Sequence, residues 1–179
     1  PLSTASDGVE EPEPLRRLDG ASVYTVAGNR LYTSTRILAA EQRILCHAAR
    51  HDGRTVPDSA VDLALLETAA KSVQLNTGQI ALVREMARSA ARVQLAIAPA
   101  GAGKTTAMQA LARAWTNSGG TVIGLAPSAV AAAGLGEQIG AHADTIAKLA
   151  WHLAHGDPPA WMNLIGPGSL VVIDEAGMA

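Results

Sequence analysis

The stretch Ala-Pro-Ala-Gly-Ala-Gly-Lys-Thr at residues 98–105 limits what this chain can fold into more than any other feature. A β-prone run, Val-Gln-Leu-Ala-Ile at residues 93–97, leads into it, and a helical pattern through Met108, Leu111 and Trp115 leads out. Glycines between a strand and a helix let successive backbone N–H groups turn around an anion, and the helix adds the positive end of its dipole. The pattern is that of a phosphate-cradling loop after its first position, where Ala98 stands in place of the usual Gly. Pro99, Ala100, Gly101, Ala102, Gly103 and Thr106 then belong to the ATP cradle. Lys104 is placed to reach the β- and γ-phosphates, and the Thr105 hydroxyl to ligate Mg²⁺. A Gly-rich turn beside a chance Lys-Thr pair is the plainer account, and the flanking strand and helix patterns argue against it.

A second element has the same context. The apolar run Leu-Val-Val-Ile at residues 170–173 ends in Asp174 and Glu175. Parallel sheets bind ligands at the C-terminal edge of their strands, where these two carboxylates fall. Asp174 is placed to hold the metal through water, and Glu175 to orient or deprotonate an attacking water. Taken alone, solvated acids at a strand end would explain the pair. About seventy residues after the phosphate loop, they complete it. Upstream, Leu-Asn-Thr-Gly-Gln at residues 75–79 opens a helix. The amide of Gln79 has the geometry to pair with N6 and N7 of adenine. Residue chemistry alone favours the simpler account, in which Thr77 caps the helix and Gln79 is solvated.

Residues 1–20 hold five acids with Pro12 and Pro14 and are expected to form an acidic linker or tail. Residues 21–75 are expected to be a mainly helical region, and residues 76–179 an ATP-binding domain. Residues 22–26 predict a short strand. Ile37, Leu38, Ile44, Leu45 and Ala48 predict a helix from Ser34 or Thr35 to about His51, stopped by Gly53. Asp58 is expected to cap a second helix containing Val61, Leu63, Leu65, Leu66 and Val73. Ile80, Val83 and Ala87 lie on one side of a third, from about Thr77 to Ala91. Further on, strands at 121–125 and 170–173 alternate with helices at 129–139 and from Thr145 to about Ala154. The fold class is therefore α/β, a parallel sheet covered by helices on both faces.

The net charge of −2 argues against a broadly basic nucleic-acid surface. Attraction to phosphate backbones would concentrate on Arg36, Arg43, Arg50, Arg84, Arg88 and Arg92. The absence of Phe and a total of three Trp and two Tyr disfavour a base-stacking sheet. Trp115, Trp151 and Trp161 are expected in or near the core, and Tyr24 and Tyr32 as packing residues. The single cysteine, Cys46, excludes an internal disulfide and suggests a reducing, cytoplasmic setting. No apolar run reaches membrane-spanning length, so no membrane role is expected. The pairs His47/His51 and His152/His155 have helical spacing compatible with a metal, but solvated helix histidines account for both, with Cys46, His47 and His51 on one helix.

The motifs together resemble superfamily 1B, RecD-like DNA helicases: Gln79, residues 98–105, Ala126-Pro127-Ser128, Thr145-Ile146-Ala147-Lys148, and Asp174-Glu175-Ala176-Gly177 stand in the order of that family. The stretch from Tyr24 to Glu41 is similar to the lead-in to the helicase part of conjugative relaxases of the TraI/TrwC type. The resemblance implies a P-loop NTPase, RecA-like domain whose sheet is incomplete in this chain. It further implies adenine recognition by Gln79, Mg²⁺-dependent ATP hydrolysis, and contact of Ser128, Thr145 and Lys148 with a single-stranded DNA backbone. Helix capping explains Ser128 and Thr145 equally well and is compatible with that contact. The partner implied is a second RecA-like domain of the same polypeptide that supplies arginines, so this chain by itself is expected to hydrolyse little ATP. The resemblance also implies that residues 93–97 and 170–173 are not sheet neighbours. They would face each other across a gap one strand wide, or close up and pair. A P-loop phosphotransferase acting on a small molecule and a nucleotide-binding module without turnover are the other classes the motifs allow.

Overall fold

The computed structural model describes residues 16, 18, 33–97, 99 and 102–174. The expected strand at 22–26, Tyr24, Tyr32, Ala98, Ala100, Gly101 and Glu175 lie outside the described residues. The chain divides into two compact units, Pro1–Cys46 and His47–Ala179.

Helix α1 (Thr35–Ala48) buries none of its residues. Its expected apolar stripe is exposed at Ile37, Leu38, Ile44 and Leu45. It ends at Ala48, short of His51, so Cys46 and His47 lie on the helix and His51 does not. The His51 ring instead lies 3.2 Å from the Ser89 carbonyl through Nδ1.

The second unit is layered. Helices α2 (Asp58–Ala70) and α3 (Thr77–Arg88) pack on α4 (Lys104–Asn117). Val61, Ala64 and Thr68 make the buried face of α2, while Leu63 and Leu66 point outward. Thr68 is buried without cost, because its hydroxyl donates to the Ala64 carbonyl (2.7 Å) and accepts from Arg113 Nη1 (3.1 Å). Asp58 is the first residue of α2 rather than its cap. Pro57 occupies the cap position and, having no polar side-chain atom, makes no side-chain bond; its ring fixes φ near the value the helix entry uses. Helix α3 ends at Arg88, earlier than expected, because Ala90 turns left-handed (φ 53°). Its carbonyl accepts from Gly53 (2.8 Å), where a Cβ would sit 2.8 Å from that same oxygen.

The sheet has three parallel strands, β1 (Val122–Ala126), β2 (His142–Thr145) and β3 (Leu170–Ile173), in the order β2-β1-β3. Helix α5 (Ala129–Ile139) joins β1 to β2. Helix α6 (Ile146–His155) and a 3-10 turn (Ala160–Leu164) join β2 to β3. These two connections run in opposite directions across the sheet, and right-handed crossovers then require their helices on opposite faces. They are found there. Val122, Ala126 and Val172 face the core that contains Leu135 and Ile139 of α5 and Leu111 of α4. Ile123, Leu125 and Val171 face Ile146, Leu149 and Trp161. The fold is a partial P-loop NTPase fold, a parallel sheet with helices on both faces.

Residues 93–97 correct the sequence expectation. They form no strand and make no backbone hydrogen bond to β3. Leu95 and Ile97 are 77% and 89% exposed. β-prone composition does not make a strand unless a neighbour supplies the matching N–H and C=O groups. Among the described residues β3 pairs only with β1, and a cleft of about 1070 Å³ separates its outer edge from residues 94–97. The gap, not the closed pairing, is the arrangement observed.

Candidate nucleotide site

Gly103 is the cap of α4 and sits in the left-handed region (φ 73°, ψ 30°), which glycine alone adopts at no steric cost. It turns the chain so that Lys104 and Thr105 open the helix. The first turn carries no acidic residue, so a phosphate there would meet donors and the positive helix end without a competing carboxylate. The Lys104 ammonium reaches back across the loop to the Pro99 carbonyl (3.2 Å), and Ala102 N–H donates to the same carbonyl (3.3 Å).

Opposite α4, β3 delivers Asp174. The Asp174 N–H donates to the Leu125 carbonyl (3.0 Å), which fixes the end of β3 against β1 and leaves the residue exposed. Lys104, Thr105 and Asp174 line the same cleft, which also contains Ile97 and Ile173. Mg²⁺ takes hard oxygen donors and commonly keeps one or two protein ligands beside phosphate and water. The Thr105 hydroxyl and the Asp174 carboxylate suit that demand. No group of three or more His, Cys, Asp or Glu among the described residues offers a metal an all-protein cage.

Gln79 makes contacts that its residue chemistry alone did not predict. Asn76, not Thr77, caps α3: its Oδ1 accepts from Gln79 N–H (2.9 Å), and Gln79 Oε1 accepts from Asn76 N–H (2.8 Å). That is a reciprocal capping box. The other end of the same amide donates to the phosphate loop, to the carbonyls of Ala102 (3.0 Å) and Gly103 (3.2 Å). A Cβ at residue 103 would lie 2.2 Å from Gln79 Nε2, a second reason for glycine there. Gln79 therefore locks the start of α3 to the loop. The Asn-x-x-Gln spacing was visible in the sequence, but the loop contact is tertiary and was not.

Ser128 and Thr145 both cap helices. Ser128 Oγ accepts from Ala131 N–H (3.2 Å), and Thr145 Oγ1 accepts from Lys148 N–H (3.1 Å). Each hydroxyl acts as acceptor in its cap, which leaves its own proton for a further partner. Lys148 Nζ is held by Asp144 (2.6 Å). Burial pushes the Asp144 carboxyl up, but the Lys148 ammonium and the Thr145 N–H outweigh it and hold it below its ordinary value. Thr145 ends β2 beside Ala126 of β1, so Ser128, Thr145 and Asp174 all occupy the C-terminal edge of the sheet.

The arginines expected to attract phosphate backbones are largely neutralised. Arg50 and Arg92 pair with Asp52, Arg84 with Asp62, and Arg88 with Asp58.

A helix-opening phosphate loop facing an acid at the end of a parallel strand defines a P-loop nucleotide-binding domain. Residues 74–179, more than half of the chain, match the family described as an AAA domain, and the chain belongs to that family. Among characterised relatives it is 32% identical over 132 residues to conjugal transfer protein TraA of Rhizobium radiobacter. That match covers 73% of this chain and 11% of the relative, so the chain spans about a tenth of that protein's length. The resemblance to the helicase part of conjugative relaxases, read from the motifs, agrees with both matches. No solved structure gives a significant match.

Proposed function

We propose that this chain is the ATP-binding part of a DNA helicase, most like that of a conjugative relaxase-helicase, in which Mg²⁺-dependent ATP hydrolysis is coupled to movement along single-stranded DNA. The observation that carries this reading is the cleft at the C-terminal edge of the sheet, which Lys104, Thr105 and Asp174 all line. In it Lys104 binds the β- and γ-phosphates, and Thr105 and Asp174 hold Mg²⁺, which neutralises phosphate charge when bound. Glu175, next in sequence, orients the attacking water. Gln79 reads adenine, and Ser128, Thr145 and Lys148 hold the DNA backbone. The ATP-binding domain comprises residues 76–179, in keeping with the family match from residue 74 onward, and residues 21–75 form a helical region before it. A second RecA-like domain of the same polypeptide is its partner, in the cytoplasm.

Titration of ATP against wild type and Lys104→Ala tests the centre of this reading. Loss of one charge-assisted contact to phosphate costs about 1.5–3 kcal/mol, a ten- to hundredfold weaker affinity. Equal affinity in the two proteins would remove Lys104 from the site and the proposal with it.

A further inference from the structure

Trp151, expected in the core, is 53% exposed, whereas Trp115 and Trp161 are 5% and 9% exposed. Its ring stacks on His155, with centroids 4.3 Å apart and planes 19° apart, and meets His152 edge-on at 4.9 Å. Both imidazoles are fixed by their own helix end. His155 Nδ1 lies 2.7 Å from the Trp151 carbonyl, and His152 Nδ1 2.5 Å from the Asp157 carbonyl. A carbonyl only accepts, so each Nδ1 carries the proton and each Nε2 is left for another partner. The rings are thus held in place before any ligand arrives.

Position on the helix makes the cluster a surface. At about 100° per residue, Lys148, Trp151, His152 and His155 fall within one face roughly 100° wide and about 10 Å long. Ile146 and Leu149 lie on the opposite side and pack under the sheet. The exposed Leu153 is also on that far side, so no second large apolar residue of α6 shares the face of Trp151. The helix, Ile-Ala-Lys-Leu-Ala-Trp-His-Leu-Ala-His, contains no acidic residue.

We infer that the Trp151–His155 stack is a platform for a base of single-stranded nucleic acid. It lies on the helix that Thr145 and Lys148 open. A flat exposed indole braced by an imidazole offers a π-face to any base without reading its edge, and the Nε2 atoms beside it are polar contacts for the sugar or phosphate. The ligand class rests on the single-stranded DNA reading above, while the location rests on the geometry of α6.

The test uses the whole chain, a labelled oligo(dT) strand and an abasic strand of equal length, with anisotropy and intrinsic tryptophan fluorescence as readouts. Wild type should bind the base-bearing strand more tightly and lose fluorescence, because Trp151 is the exposed indole. Trp151→Ala should abolish the quenching and weaken binding about five- to 150-fold, the range for one stacked base. Trp151→Phe should retain most of the affinity. His155→Ala should fall between. Circular dichroism confirms that the variants remain folded. Undiminished oligo(dT) binding by Trp151→Ala, beside weakened binding by Lys148→Ala, would overturn the platform and keep the DNA reading. No binding of either strand by wild type would overturn both. A change of oligomeric state in Trp151→Ala without effect on DNA would assign this face to a protein contact and also overturn the platform.

Discussion

At Gln79 one amide has two occupations. Its oxygen closes the capping box with Asn76, and its nitrogen donates to Ala102 and Gly103 of the phosphate loop. An adenine read through N7 would need that nitrogen, so base recognition and loop restraint compete for the same hydrogens. Two substitutions separate the cap, which uses the oxygen, from the two roles that use the nitrogen. Gln79→Glu keeps the capping acceptor and removes the donors, so the cap should hold while the two loop bonds and the preference for ATP over GTP are lost, and thermal stability should fall through the loop bonds alone. Gln79→Ala should lose the preference and also about 1 kcal/mol of cap stability. A paired bidentate contact to adenine is worth about 1–3 kcal/mol, which sets the expected wild-type discrimination in a competitive titration. Equal binding of ATP and GTP by wild type would leave Gln79 with its structural role alone. The sequence drew attention to this residue through its amide and its place in the motif order, and assigned the cap to Thr77 where Asn76 makes it. It did not reveal the loop contact, because residues 79 and 102 are brought together only when α3 packs on α4.

Among the elements, α4, α5 and β3 were legible, because a glycine-rich start, an alanine-rich helix and a wholly apolar run each carry their own signal. One strand was not, and one expected strand does not form. His142-Ala143-Asp144-Thr145 has no apolar alternation, yet it forms β2, because β1 offers it a ladder and α5 leads the chain back alongside. Residues 93–97 have the composition and no ladder. Close packing also depends on absence. A Cβ at Gly124, in the middle of β1, would lie 2.8 Å from Ala143 Cβ and 3.0 Å from the tips of Ile139 and Leu135. The leucine and isoleucine tips can rotate aside, but Ala143 Cβ moves only with its backbone. Gly124→Ala should therefore destabilise the chain by about 1–3 kcal/mol in urea unfolding, the usual cost of overpacking. An unchanged midpoint would mean that α5 and β2 are free to move away from β1.

Over the His47–Ala179 unit, exposed charge is organised as a ladder. Arg84 and Arg88, one turn apart on α3, meet Asp62 and Asp58, one turn apart on the antiparallel-running α2, and Arg92 with Arg50 grips Asp52 beyond the helix ends. Arg92, then Arg50, holds the Asp52 carboxyl well below the usual carboxylate range, and Arg88 lowers that of Asp58. A carboxyl with a folded pKa below its unfolded value contributes its full stability above the unfolded pKa, about 3.9, and loses it as pH falls toward the folded value. The urea midpoint should accordingly drop below about pH 4, and Asp52→Asn should lower it at neutral pH while flattening the acid limb. High salt should shrink both effects, because these side chains are exposed. A wild-type midpoint that is level from neutral pH down to about 2 would mean that the ladder adds nothing to folding. The position of β1 sets an order in time. β2 returns to it after one helix, whereas β3 returns after a segment about three times as long, at an extra loop-closure cost of roughly 1 kcal/mol. β1 and β2 should therefore join first, and the wall that carries Asp174 should arrive last. Nucleotide binding that needs Asp174 would then begin only when β3 has docked, so that the earliest moment at which a refolding chain retains ATP dates the docking of β3 on β1.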